Sequence, residues 1–196
     1  MLNRALELNA QIARRITLVV GAAVFAAAAI ITVDILCRSF LGVTMQGSDE
    51  ISGYVLAVAA AWAYSHCLIR RAHIRIDVVY ALTPLRWRGL FDILGILATL
   101  LFIGILTYHA AETFLESWRL NSVSNSSLVV PLWIPQLLWV GGLVYFDLTL
   151  ILLLVAGFDR YRRGRYVEVK NLIGIQSGVD EVEDEIREAK LKSTTI

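Results

Sequence analysis

The sequence predicts an all-α integral membrane protein with four transmembrane helices, both termini in the cytoplasm, and an amphipathic cytoplasmic connection between the second and third helices. Three observations predict it. The chain is 57% hydrophobic with a mean hydropathy of +0.64, where an ordinary soluble domain is about 45–50% apolar. Its neutral residues fall in four long runs between charged clusters. Its Lys and Arg residues gather on one side of those runs. The formal net charge of +1 leaves no broad basic surface for nucleic acid.

The first run, Ile16 to Val33, holds eighteen uncharged residues between Arg15 and Asp34. The second, Ile51 to Ile69, holds nineteen between Glu50 and Arg70. The third, Ile93 to Ala111, holds nineteen between Asp92 and Glu112. The fourth runs from Pro131 to Phe158 and is broken only by Asp147. A helix rises 1.5 Å per residue, so about 20 residues cross a ~30 Å hydrocarbon core. Lipid gives backbone groups no partner, which favours helices. The runs lack the every-second-residue alternation of a membrane barrel. Run one exceeds the usual ~7–15-residue core of a signal peptide, so it is expected to stay in the protein. Cys37 and Cys67 lie near opposite membrane faces, too far apart for a disulfide, and read as small buried hydrophobes.

Lys and Arg set the direction. All of them except Arg38 and Arg119 lie in the N-terminal segment, in the loop after span two, or in the C-terminal tail. The positive-inside rule places those three regions in the cytoplasm. The chain thus divides into a cytoplasmic segment (1–15), a four-helix membrane domain (16–158) and a cytoplasmic tail (159–196). The outer loop from Leu41 to Asp49 is short. Between Arg71 and Gly89, Ile74, Ile76, Val79, Leu82, Leu85 and Trp87 alternate with arginines, as in a segment lying on the bilayer surface. The tail predicts a short helix over 180–192, acidic first and basic last, in the sense the helix dipole prefers. Trp118 and Trp133 suit the outer interface. Pro131 and Pro135 mark the start of span four, where Pro is tolerated.

The residues offer little for catalysis. No nucleophile elbow, phosphate loop or zinc spacing is present. His66 sits near the inner end of span two and His109 near the outer end of span three, roughly 20 Å apart along the normal, too far to share a haem. His73 is in the cytoplasmic connection. No cofactor and no metal are expected. The charges near or inside the membrane are more informative, because such groups normally face protein or water. Asp34 and Arg38 are four apart and can pair on one helix face; Glu50 is an alternative partner for Arg38. Asp147 is near the midplane, where a hydrogen bond to a neighbouring helix or subunit is expected. Glu112, Glu116 and Arg119 share one helical face. Alanines crowd spans one and two, and small residues let helices approach closely. Few polar groups remain to line a solute path, so a scaffold packed against a larger protein is expected. A haem- or quinone-type membrane anchor of a respiratory enzyme and a small independent exporter stay open on these residues alone.

From Asp34 to Arg75 the chain resembles the small, DctQ-like membrane subunit of tripartite ATP-independent periplasmic (TRAP) transporters. The matching residues are Arg38 at the end of helix one, Glu50 opening helix two, and Tyr54 and Trp62 within it. A basic stretch follows, Arg70-Arg71-Ala72-His73-Ile74-Arg75-Ile76-Asp77. Ala72 stands where the family commonly has glycine. The Pro84–Arg88 turn and the small-polar loop before Pro131-Leu132-Trp133 also match. The resemblance covers roughly residues 14–158 and leaves out the tail beyond Lys170. It implies a bacterial inner-membrane subunit, not an enzyme, embedded in lipid beside a large DctM-like membrane subunit. That large subunit would import a carboxylate such as a dicarboxylate, keto acid or sialic acid with sodium. A periplasmic solute-binding protein would deliver the cargo. Because the chain ends soon after span four, the permease is expected on a separate chain. Arg38, Asp49, Glu50, Glu112, Glu116 and Arg119 are expected to form the periplasmic rim facing the binding protein. Asp34, Trp62, His73, Asp77 and Asp147 are expected to serve structure or the subunit interface.

Overall fold

The computed structural model describes residues 2–71, 83–126 and 128–174. It is helical, with one isolated bridge, Val123 to Pro131, among the described residues. Five helices follow in order: α1 (Leu2–Leu41), α2 (Ser48–Ile69), α3 (Leu85–Arg119), α4 (Trp133–Arg162) and α5 (Tyr166–Ile173). The first four are long and apolar enough to cross a membrane. The first three each contain a neutral run, and α4 takes up the fourth from Trp133 onward. The core of the amphipathic connection, with His73 and Asp77, and the tail helix expected over 180–192 lie outside the described residues.

The helices outrun the neutral runs. α1 begins at Leu2, because Leu2 to Arg15 is rich in Leu, Ala, Glu, Gln and Arg, all good helix formers. Arg14 and Arg15 therefore mark a change of polarity inside a continuous helix. α3 starts after Pro84, whose carbonyl accepts the Trp87 and Arg88 N–H groups at 2.9 and 3.1 Å. Pro135 falls in the first turn of α4. α4 ends at a turn through Gly164 (φ +71°), and α5 folds back on α3 and α4. That short helix, unforeseen in the sequence, buries Val169 and Ile173 against Gly89 and Gly157.

The packing order is α1 on α2, α2 on α4 and α4 on α3, with only slight contact between α1 and α4. The four long helices thus form a row. Its main core runs through Leu68, Ile96, Phe146, Leu150 and Leu153. A second cluster joins Ala61, Ala110 and Leu143. Gly142 sets the close approach of α2 to α4: a Cβ there would lie 2.8 Å from Trp62 Cδ1 and 2.9 Å from the Ala61 Cβ, so glycine is needed. Asn9 ties α1 to α4 by accepting the Tyr145 hydroxyl at 2.8 Å and donating to Thr149 at 3.3 Å. Large apolar side chains stand exposed along the row, among them Phe25, Leu101, Phe102 and Leu148.

The row is staggered along its axis. Trp62 meets Leu138 and Gly142, so Ala60 lies near the level of residue 140 in α4. Thr107 meets Asp147 and Trp118 meets Trp133, so Phe102 lies near the level of residue 150. The midpoints of neutral runs two and three, Ala60 and Phe102, therefore differ by about 15 Å in axial height at 1.5 Å per residue. Phe146, near the midpoint of run four, lies between them.

Candidate functional site

The α1–α2 and α3–α4 connections meet on the same side of the row, at the ends of its helices, and the charges expected at the rim are found on that side. Asp34 is the centre of the first connection. It is 2% exposed. Its Oδ1 accepts the Met45 N–H at 2.5 Å and the Thr44 hydroxyl at 3.2 Å. Its Oδ2 accepts Arg38 Nη2 at 2.9 Å and the Ser48 hydroxyl at 3.1 Å. Four donors thus fix one carboxylate, and the loop is wound around it. Arg38 pairs with Asp34, one helical turn away, and not with Glu50; its side chain is otherwise exposed.

Glu50 clasps the second connection. It accepts the Tyr54 hydroxyl at 2.5 Å, and its other oxygen accepts the Ser126 hydroxyl. Ser126 lies 3.0 Å from Ser124 and takes the Leu128 N–H at 3.2 Å. Ser124 accepts the Val130 N–H on its side chain at 3.1 Å and donates its own N–H to the Val130 carbonyl at 2.8 Å. The serine-rich loop is therefore folded by its own hydroxyls and anchored to α2 through Glu50. Gly47 permits the contact: its φ is +92°, and a Cβ would collide with the Leu128 side chain. Asp49 stands exposed beside Glu50 in the first turn of α2, where the helix dipole favours a carboxylate.

Glu112, Glu116 and Arg119 occupy the last turns of α3, all exposed. Glu112 lies 3.0 Å from His109 Nδ1. Trp118 packs edge-on against Trp133 at 4.8 Å between ring centroids. The rim thus has two groups. Arg38, Asp49 and Glu50 stand at the α1–α2 end of the row, and Glu112, Glu116 and Arg119 stand on α3 at the other end.

Of the other residues expected to serve structure or the subunit interface, Trp62 and Asp147 lie among the described residues, and His73 and Asp77 lie outside them. The Trp62 indole donates to the Leu138 carbonyl at 2.9 Å and stacks on Tyr145, linking α2 to α4. Asp147 accepts the Thr107 hydroxyl at 2.6 Å, which is the expected bond to a neighbouring helix. The Asp34 donors Thr44, Met45 and Ser48 were not visible in sequence, because a loop's hydroxyls gain meaning only once the loop is closed. The Asn9–Tyr145–Thr149 link was also hidden, since it joins residues far apart in the chain and Asn9 precedes the first neutral run.

A scan against family models matches residues 27–160 to tripartite ATP-independent periplasmic transporters, DctQ component. That span covers well over half of the chain, including the Asp34 and Glu50 networks and all of α2 and α3. No curated protein and no solved structure matches it. The chain belongs to the DctQ family and is a small, multi-pass membrane subunit of a TRAP transporter.

Proposed function

We propose that this subunit holds the large permease subunit in place and docks the periplasmic solute-binding protein of a sodium-coupled importer of organic acids. The chain lies in a bacterial inner membrane, with the loop side of the row facing the periplasm and both termini on the cytoplasmic side. The observation that carries this reading is the pairing of two hydrogen-bonded loops on one side of the row with nearly all the basic residues among the described ones toward the other side. Orientation follows from the basic residues, and the docking role from the rim. The Asp34 network and the Glu50 clasp stiffen that rim, so a docking partner meets a preorganised surface and loses little ordering entropy. Substrate and sodium sites belong chiefly to the large subunit. Among the described residues the four long helices form a row one helix thick, with no interior to line a solute path, which supports a scaffold in place of a carrier.

The test is uptake. Deleting the chain from a strain that depends on the transporter should abolish accumulation of the labelled carboxylate, and the tagged chain should co-purify with a much larger membrane protein. Normal uptake without the chain would refute the reading. Reversing Asp49 and Glu116 to lysine should weaken docking of the binding protein, more so at low salt. Salt-independent, unchanged uptake in that variant would remove the rim from the docking surface.

A further inference from the structure

Between α3 and α4 a groove of about 700 Å³ opens on one face of the row, lined by Leu101, Gly104, Ile105, Tyr108, Asp147 and Ile151 among others. Its volume is that of several side chains. Its walls are apolar, yet Asp147 sits in it near the middle of α4. One oxygen of this carboxylate takes the Thr107 hydroxyl; the other, Oδ1, is sealed from solvent and has no hydrogen-bond partner. A carboxylate at mid-membrane with one donor is poorly satisfied. Gly104 is likewise unexplained by the chain itself, since a Cβ there would meet nothing within 4 Å. Glycine on a lipid-depth helix face favours close approach of a second helix. Tyr108 and the His109–Glu112 pair continue the polar edge of the same groove outward along α3.

We infer that this groove seats a transmembrane helix of the large subunit that carries one basic side chain, which completes the coordination of Asp147. The inference rests on the scaffold reading above and adds the face that does the holding. The occupant follows from charge: Asp147 puts a carboxylate into the groove wall, and its oxygens need donors. The terminal torsion of an aspartate is broad, so a small rotation brings either oxygen to the groove side. Lipid tails supply no donor at that depth, and anionic headgroups would be repelled. A cationic side chain, desolvated on both sides and hydrogen-bonded to the carboxylate, fits the groove in both charge and depth.

The experiment uses the complete transporter purified in mild detergent. A photo-reactive residue at Leu101 or Ile105 should cross-link to the large subunit at least fivefold more than one at Phe25 on α1. Adducts only to lipid or to a second copy of this chain, or equal yields at all three positions, would overturn the groove assignment. Asp147→Asn keeps an acceptor for Thr107 and the side-chain shape but loses the charge. It should lower the large subunit recovered with this chain by about tenfold, as for a buried charge left alone. Full recovery with Asp147→Asn would overturn a cationic occupant. Failure of the wild-type chain to recover any large subunit would instead refute the scaffold reading itself.

Discussion

At the scale of single residues, the rim is built on one buried carboxylate and one glycine. Asp34 and Arg38 were legible as a pair because residues four apart share a helix face. The other three donors to Asp34 come from the loop, and nothing local in Thr44, Met45 or Ser48 announces them. Gly47 has two separable duties: it takes a φ of +92° and leaves room for Leu128. Gly47→Ala should therefore cost about 1–2 kcal/mol from the backbone plus the collision with Leu128. Adding Leu128→Ala should recover only the collision. Thermal unfolding of the two variants and their combination in detergent checks this: full recovery would mean the backbone conformation is free. The bond between Glu50 and Ser126 was equally hidden, since it joins residues 76 apart in sequence.

At the scale of elements, the spans were the most legible feature, because a continuous neutral run of this length matches the thickness of a bilayer. Their ends were less so. Charges locate where a helix leaves lipid, whereas helix propensity and caps locate where it stops, and in α1 the two differ by more than a dozen residues. α5 escaped notice because eight residues carry too little pattern; its two buried side chains acquire a target only when Gly89 and Gly157 are placed beside them. Ile173 is 4% exposed and packs its Cδ1 against Gly157. Ile173→Ala should cost about 2–5 kcal/mol locally and free α5 from the bundle. The readout is limited proteolysis, with faster cleavage near Gly164 and an unchanged cleavage pattern elsewhere. Equal cleavage rates would show that α5 contributes nothing to holding this end together.

For the whole molecule, the number of spans follows from sequence but their order in space does not. Hydropathy says nothing about which helix touches which, and the Trp62–Gly142 contact that sets the row lies between two glycine- and alanine-rich surfaces that look alike in one dimension. The axial stagger has a direct consequence in a bilayer. Adjacent helix axes are about 8–10 Å apart, so a 15 Å offset between α2 and α3 is levelled by tilting the helices about 40° along the row, at the upper end of the known range. Spin labels at Phe25 and Phe102, both exposed, should then report the same immersion depth within a few ångströms. Upright helices would instead leave them about 20 Å apart in depth.

Among the described residues, the row leaves much of its apolar surface uncovered. Synthesised alone, such a chain would offer membrane proteases an unprotected strip of helix, and its lifetime in the cell would be governed by how quickly a neighbour covers it. Stoichiometry could then be enforced after translation, by degradation of whatever fraction stays orphaned.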